Sequence, residues 1–231
     1  MRRALALTAL ELRTERRYGI HATGVVLAVL WTAVLLVIPA EAARFAAPLV
    51  LFVDTATVGV FLAGAIVLFE RGERALAALL ASPVRTAEYL AAKVAALTVL
   101  SLAIAVPVAL AGARGRFPAL PVLAGVGLTA LLMLLLALGL VARHRSIVGF
   151  LSAAPWPLIP LMGVPLAHGV GLVEHPLAYL VPTTAAVDLI DVAFGGVAPP
   201  PPAVAYLVAC VAAAGVWAVR RFDRLVRAGG G

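Results

Sequence analysis

Six long apolar runs divide the sequence, and each contains few or no charged residues. A helix needs about 20 apolar residues to cross the hydrocarbon core of a bilayer, and every run is about that long or longer. We therefore predict an all-α protein with six membrane-spanning helices. The runs cover residues 22–40, 45–69, 94–113, 117–142, 146–173 and 197–219.

The charged residues cluster between these runs and predict the orientation of the chain. Of the 18 basic residues, all but Arg44, Arg114 and Arg116 fall in the amino-terminal segment, in the loops after the second and fourth runs, or in the carboxy-terminal tail. Lysine and arginine are enriched in cytoplasmic loops. We expect both termini in the cytoplasm, with six crossings between them.

The stretch before the sixth run, residues 176–198, is apolar but does not fit a seventh crossing. Asp188 interrupts it, and Pro182 would break a continuous helix. A seventh crossing would also place the basic tail outside. We predict instead that Pro182, Thr183 and Asp188 belong to a helical re-entrant element in the outer leaflet, packed against protein so that its backbone groups are satisfied.

The composition supports a membrane protein and argues against other classes. Hydrophobic residues make up 64% of the chain and charged residues only 13%, which excludes an ordinary soluble domain. The net charge is +7, but the basic residues do not form one patch interleaved with aromatic residues, which make up 6%. A nucleic-acid partner is therefore not expected. The single cysteine, Cys210, allows neither an intramolecular disulfide nor a cysteine metal site.

The loop between the second and third runs is the most informative polar segment. Glu70, Glu73 and Arg74 recur at helical spacing, and Ser82 and Pro83 are a good N-cap and first residue for a second helix that continues into the third span. We predict a helical hairpin that projects into the cytosol. The alternative is a solvated connection whose charges serve solubility and orientation.

The amino-terminal residues 1–21 also suit a helix. Leu5, Ala9 and Leu12 share one face, while glutamate and arginine residues share others. This pattern predicts a helix that lies in the membrane interface before the first span. The alternative is a simple basic anchor.

Four residues inside the spans are candidates for a transport pathway. Asp54 is the one acidic residue well inside a predicted span, so it should face the bundle interior or a wet cavity, with Thr57 nearby. The alternative is a structural acid, paired with Arg44 or capping the re-entrant element. Pro155 and Pro160 could bend the fifth span and line the pathway, or be ordinary transmembrane prolines.

Acidic and histidine residues near the outer side do not predict a metal site. These residues are His168, Glu174, His175, Asp188 and Asp191. Their spacing does not match a helical H-E-x-x-H motif, and no G-x-S-x-G motif is present. We expect them to be exposed loop residues, with no metal bound.

Two phrases of the sequence carry a family resemblance. One runs from Glu70 through Ser82 and Pro83 to Lys93, and the other is the Leu-Val-Pro-Thr-Thr phrase that begins at Leu180. Together with the order of elements, they resemble the permease subunit of a type-2 ABC exporter, most of all the actinobacterial fluoroquinolone-export permeases.

The resemblance implies how such a chain would work. It implies a dimer with a second copy or a homologous permease, an ABC ATPase dimer as partner, and contact with membrane lipid. ATP and magnesium would be bound by the ATPase, since this chain has no G-x-x-x-x-G-K-[ST] motif and no cofactor of its own. The coupling hairpin would comprise Glu70, Glu73, Arg74, Ser82, Pro83, Arg85 and Glu88.

We therefore expect a multi-pass exporter subunit of a bacterial cell membrane that moves an amphipathic or lipophilic compound outward by alternating access. The alternatives are a membrane-embedded enzyme acting on lipid-linked substrates and an accessory membrane subunit without its own pathway. The single domain, 1–231, divides into the interfacial helix 1–21, spans 22–69, hairpin 70–93, spans 94–173, outer segment 174–198, last span 199–219 and cytoplasmic tail 220–231.

Overall fold

The computed structural model describes residues 19–72, 85–115, 117–144 and 146–229, without the side chains of residues 71, 72 and 225–229. Within these ranges the chain is helical and contains no strand. The predicted interfacial helix and the residues Glu73, Arg74, Ser82 and Pro83 lie outside the described residues. The helices are α1 (Ile20–Val37), α2 (Ala40–Gly72), α3 (Thr86–Ala113), α4 (Ala119–Val141), α5 (Ile147–Ala153), α6 (Pro155–Gly169), α7 (Thr183–Asp191) and α8 (Pro201–Gly229).

In the described parts of the chain, six helical segments are long and apolar enough to cross a membrane, in agreement with the predicted number of spans. They are α1, α2, α3, α4, the pair α5 and α6, and α8. The second begins at Ala40, five residues before the predicted start, because the helix continues past the apolar run; Glu41 lies in its first turn, where an acid is favourable next to the positive end of the helix dipole.

The middle helices form the core of the bundle. The most apolar part of α4 is 67% buried, and those of α2 and α3 are 56% and 50% buried. The outer helices are much more exposed, with 17% burial for α1 and 11% for the α5 and α6 pair. The apolar side chains of these outer helices therefore lie at the surface of the single chain, as expected for contact with lipid or with another membrane subunit.

The segment between the fifth and sixth spans folds into short helical pieces. A 3₁₀ turn (Pro176–Leu180) precedes α7, a second one (Val192–Phe194) follows it, and Pro182 separates the first turn from α7. Helix α7 has nine residues, about 13 Å at 1.5 Å per residue, which is too short to cross a bilayer. Six of its residues are buried, so it lies within the bundle.

Helix α7 crosses α4 at Gly125 with almost no space between the backbones. A Cβ atom added to Gly125 would lie 2.7 Å from the carbonyl oxygen of Ala186 and 2.6 Å from Cγ1 of Ile190. Only glycine allows the two helices to approach this closely.

A second contact joins α7 to α6. Pro165 lies inside α6 and has no N–H, so the carbonyl of Leu161 lacks its partner four residues later. The hydroxyl of Thr183 donates a hydrogen bond to this carbonyl at 2.6 Å. A neighbouring element therefore satisfies the backbone group that a transmembrane proline leaves free.

Candidate functional site

A buried ion pair joins the second and third spans at the ends that border residues 73–84. Lys93 Nζ lies 2.7 Å from Glu70 Oε1, and the two residues are 0% and 4% exposed. The Tyr89 hydroxyl donates to the other oxygen of Glu70, and Lys93 Nζ lies 5.1 Å from the centre of the Tyr89 ring. Both carboxylate oxygens are satisfied, which a buried charge requires.

Lys93 is the one lysine in a chain whose other basic residues are all arginine. A lysine ammonium is a compact charge on a flexible stem, whereas a guanidinium is a wide planar group. The enclosed space beside Glu70 and Tyr89 therefore suits lysine. Tyr89 also packs against Phe222 of α8, with ring centroids 6.4 Å apart, so the ion pair is tied to the last span as well.

Helix α3 begins after Arg85, which differs from the prediction. The Arg85 N–H donates to Glu88 Oε2 at 3.1 Å, and the Glu88 N–H donates back to the Arg85 carbonyl at 2.9 Å. This reciprocal cap fixes the start at Thr86. A helix that runs unbroken from Ser82 and Pro83 into the third span, as predicted, is not formed, because the backbone of Arg85 is extended rather than helical. Ser82 and Pro83 themselves lie outside the described residues.

These contacts divide the predicted coupling residues into two groups. Glu70 is enclosed by Lys93 and Tyr89, so its carboxylate is not presented at the surface. Arg85 and Glu88 are exposed and border the loop. The structure thus gives Glu70 a role inside the protein, at the base of the loop.

Asp54 faces the first span. Trp31 Nε1 of α1 donates to Asp54 Oδ1 at 3.1 Å, and both residues are half-buried. No other hydrogen bond to Asp54, from Arg44 or from α7, occurs among the described residues, so neither predicted structural partner is found. The second oxygen, Oδ2, accepts no hydrogen bond from that part of the chain and is available to another group.

Of the other predicted pathway residues, Thr57 lies near Asp54 on α2, whereas the two prolines lie on α6. Thr57 is half-buried one turn along α2 from Asp54. Pro155 and Pro160 are exposed on the surface of the single chain, Pro155 at the start of α6 and Pro160 inside it. Any pathway that includes these prolines would have to run along the outside of this chain.

Three residues form a polar cluster where α6, the first 3₁₀ turn and α7 meet. The Tyr179 hydroxyl donates to Asp188 Oδ2 at 2.7 Å, and His168 Nε2 lies 3.4 Å from Asp188 Oδ1. His168 Nδ1 lies 2.8 Å from the carbonyl of Val173. A carbonyl only accepts, so Nδ1 carries a hydrogen, and Nε2 faces the carboxyl group of Asp188.

The expectation that the outer acidic and histidine residues are all exposed is therefore wrong for His168 and Asp188, whose side chains are 20% and 12% exposed, and for Asp191, which is half-buried. Their burial follows from the packing of α7 inside the bundle. Glu174 and His175 are exposed as predicted. Among the described residues, no group of three or more histidine, cysteine, aspartate or glutamate side chains could hold a metal ion.

Burial changes the acid–base properties of this cluster. Burial raises the pKa of Asp188 above its usual 3.8, although the Tyr179 hydrogen bond and the charge of His168 oppose this. Burial also raises the pKa of Asp191, and the charge of Asp188 adds to it. Burial and the neighbouring Asp188 raise the pKa of Tyr179 to about 12, so its hydroxyl remains a donor at neutral pH.

The raised pKa of Asp188 predicts the pH dependence of stability. A carboxyl group whose pKa is higher in the folded state stabilises the fold below its unfolded pKa, and this contribution is lost as the pH rises through the folded pKa. The free energy of unfolding should therefore fall as the pH rises from about 4, with a slope of at most about 1.4 kcal/mol per pH unit for one proton. Asp188→Asn should reduce the slope.

Thermal unfolding in detergent at a series of pH values measures this slope. Glu174→Gln is the matched control, because Glu174 is exposed nearby and should leave the slope unchanged. If Asp188→Asn has the slope of the unmodified protein, Asp188 does not carry the effect.

The hydrogen-bond and ion-pair partners of the charged residues were not predicted from the sequence. Tyr89 lies four residues before Lys93, on the same helix face, and this spacing could have indicated the contact. Trp31 lies 23 residues before Asp54 in the sequence, and His168 lies 20 residues before Asp188. No local pattern links residues so far apart.

Comparison with known proteins gives one family. Residues 2–229 match the family model described as the fluoroquinolones export permease protein family. Two relatives are the fluoroquinolones export permease proteins of Mycobacterium tuberculosis strains CDC 1551 / Oshkosh and ATCC 25618 / H37Rv. Each is 36% identical over 208 residues, which cover 90% of this chain and 88% of the relative.

Proposed function

Because this chain belongs to the fluoroquinolones export permease family, a resemblance already found in its sequence, we propose that it is the transmembrane subunit of an ATP-driven exporter. It is a multi-pass membrane protein of a transport family. On this proposal it moves an amphipathic or lipophilic compound out of a bacterial cell by alternating access. The match over nearly the whole chain is the observation that carries the proposal.

The energy would come from a separate ABC ATPase dimer. The chain has no P-loop sequence in its 231 residues. The loop at residues 73–84, between the ends of α2 and α3, would receive force from the ATPase together with the exposed Arg85 and Glu88. The buried Glu70–Lys93 pair supports this role, because it fixes the two helix ends that would transmit the force.

A second permease chain would complete the pathway. The first and fifth spans expose apolar side chains, among them Val25 and Val29 of α1, which are both 63% exposed, and Trp156 of α6, which is 76% exposed. Pro155 and Pro160 share the exposed surface of α6. If the pathway runs between two such chains, these prolines would line it. The proposed orientation keeps both termini in the cytoplasm.

Co-expression of this chain with a candidate ABC ATPase tests the function. We expect the two proteins to copurify and fluoroquinolones to stimulate ATP hydrolysis in reconstituted vesicles. Copurification without stimulation by any amphipathic compound would indicate an accessory subunit. Failure to bind an ATPase would contradict the exporter proposal.

Asp54 would make the pathway selective for compounds with a positive charge. Its Oδ2 is not used by the described residues, while Oδ1 is held by Trp31. Asp54→Asn keeps an oxygen that can accept from Trp31 but removes the charge. We expect the apparent affinity for a cationic compound to fall about tenfold, or about 1.4 kcal/mol, with little change for a neutral compound.

Substrate-stimulated ATPase activity, measured against concentration for both kinds of compound, gives the two affinities. Trp31→Phe is the matched control, because it removes the hydrogen bond and leaves the carboxylate; it should affect both compounds alike. If Asp54→Asn lowers the apparent affinities for the cationic and the neutral compound equally, Asp54 has a structural role.

A further inference from the structure

A basic groove lies on one face of α8, at the end of the last span. Its volume is about 470 Å³, and its lining residues are Ala213, Val216, Trp217, Arg220, Arg221 and Arg224. Trp217, Arg220, Arg221 and Arg224 follow the spacing i, i+3, i+4 and i+7, so they share one helix face. Among the described residues of the lining, each charged side chain is an arginine.

The Trp217 ring forms one wall of the groove and packs tightly against α4. A Cβ atom added to Gly139 of α4 would lie 1.8 Å from the Trp217 ring, so the ring lies directly against the α4 backbone. The Arg221 guanidinium lies 5.6 Å from the centre of the same ring, within the range of a cation–π contact. This contact places the Arg221 guanidinium beside the Trp217 ring, at the edge of the groove.

The arginines are not needed for packing of the core. The buried face of α8 carries Ala218 and Phe222, which are 0% and 1% exposed. Arg220 and Arg224 are exposed. Their charges lie at the surface, and no described residue forms a hydrogen bond or ion pair with them, so their donors can bind an anionic ligand.

The lining changes from apolar to basic along the helix axis. Ala213, Val216 and the Trp217 ring lie towards the middle of the span, and the three arginines lie at its end. A ligand that matches this order has an acyl chain at one end and a phosphate at the other. Guanidinium groups bind phosphate with paired hydrogen bonds, and tryptophan is enriched at the membrane interface.

We propose that this groove binds the headgroup of an anionic phospholipid, with one acyl chain along Ala213 and Val216. This goes beyond the transport function and does not depend on the exported compound. A basic residue near an anionic membrane surface contributes about a fivefold change in affinity. Removing all three arginine charges should therefore abolish the preference for anionic over zwitterionic lipid.

Quenching of Trp217 fluorescence by brominated lipid tests the proposal. The full chain, carrying Trp156→Phe, is placed in phosphatidylcholine vesicles with increasing brominated phosphatidylglycerol. Trp31 is retained because it contacts Asp54. The same titration with Trp217→Phe gives the part of the signal that comes from other residues, and brominated phosphatidylcholine gives the reference without anionic charge.

We expect phosphatidylglycerol to quench Trp217 at a much lower mole fraction than phosphatidylcholine. The combined variant Arg220→Gln, Arg221→Gln and Arg224→Gln should lose this difference, and lysine at the same three positions should keep most of it. The control is Arg143→Gln, which removes an exposed arginine just beyond the end of α4 and should keep the preference.

Three results would overturn the proposal. Equal quenching by the two lipids in the unmodified groove would show no anionic site. An unchanged preference in the triple glutamine variant would place the site elsewhere. Relief of quenching by a large excess of inorganic phosphate would show that the groove takes a free anion, without need of the acyl chain.

Discussion

Lys93→Met is expected to lower the free energy of unfolding by about 3–5 kcal/mol, because it leaves the Glu70 carboxylate buried without its cation. The Tyr89 hydroxyl would remain on one oxygen of Glu70, but it cannot neutralise the charge. The ends of α2 and α3 should then separate. Denaturant unfolding in detergent, followed by tryptophan fluorescence, measures the change.

The double variant Glu70→Gln and Lys93→Met provides the decisive comparison. It replaces the pair with a neutral acceptor for Tyr89 and an apolar chain of similar length, so most of the lost stability should return. Glu174→Gln, at an exposed position, should change stability by less than about 0.5 kcal/mol. If the double variant is as unstable as the sum of the single variants, the two residues do not act as a pair.

Even if the double variant regains stability, ATP hydrolysis need not be coupled to transport as it is in the unmodified chain. In the double variant the helix ends are held by a weaker neutral contact, so substrate-stimulated ATP hydrolysis in the complex should remain below that of the unmodified chain. This difference would separate a role in force transmission from a role in folding alone.

Gly125→Ala is expected to have the second largest effect, a loss of about 1–3 kcal/mol or more in the free energy of unfolding. The new methyl group would meet the backbone of Ala186 and Ile190, which cannot move without displacing α7. Export should fall with stability, because α7 would be displaced within the bundle. Unfolding in detergent and export in vesicles measure the two losses.

Gly163→Ala is the matched control for this substitution. Gly163 also lies inside a helix, but nothing lies within 4 Å of an added Cβ atom. Alanine should therefore be neutral or stabilise the helix by up to about 1 kcal/mol. Equal effects of the two substitutions would mean that the contact between α4 and α7 does not determine stability.

The number of spans could be predicted from the sequence because apolar length is a local property. The same holds for the described segment at residues 176–198, which forms only short helices and which Asp188 and Pro182 indicated would not cross. The start of α2 was placed too late, since hydropathy detects the apolar run and the helix extends beyond it to Ala40.

The contacts between spans could not be predicted in the same way. Glu70 and Lys93 were identified as the two ends of one sequence segment, but their pairing depends on how α2 and α3 pack side by side. The partner of Asp54 depends on the packing of α1 against α2. Both contacts arise only when the helices pack together. The spacing of residues within one helix cannot predict them.

The hydrogen bond from Thr183 to the Leu161 carbonyl has a consequence for sequence variation. The hydroxyl is needed there because Pro165 supplies no N–H. If position 165 changes to a residue with an N–H, α6 can close its own hydrogen bond, and valine at position 183 becomes acceptable. While proline remains, valine leaves a buried carbonyl unsatisfied. Positions 165 and 183 should therefore covary among related sequences, although 17 residues and a turn of the chain separate them.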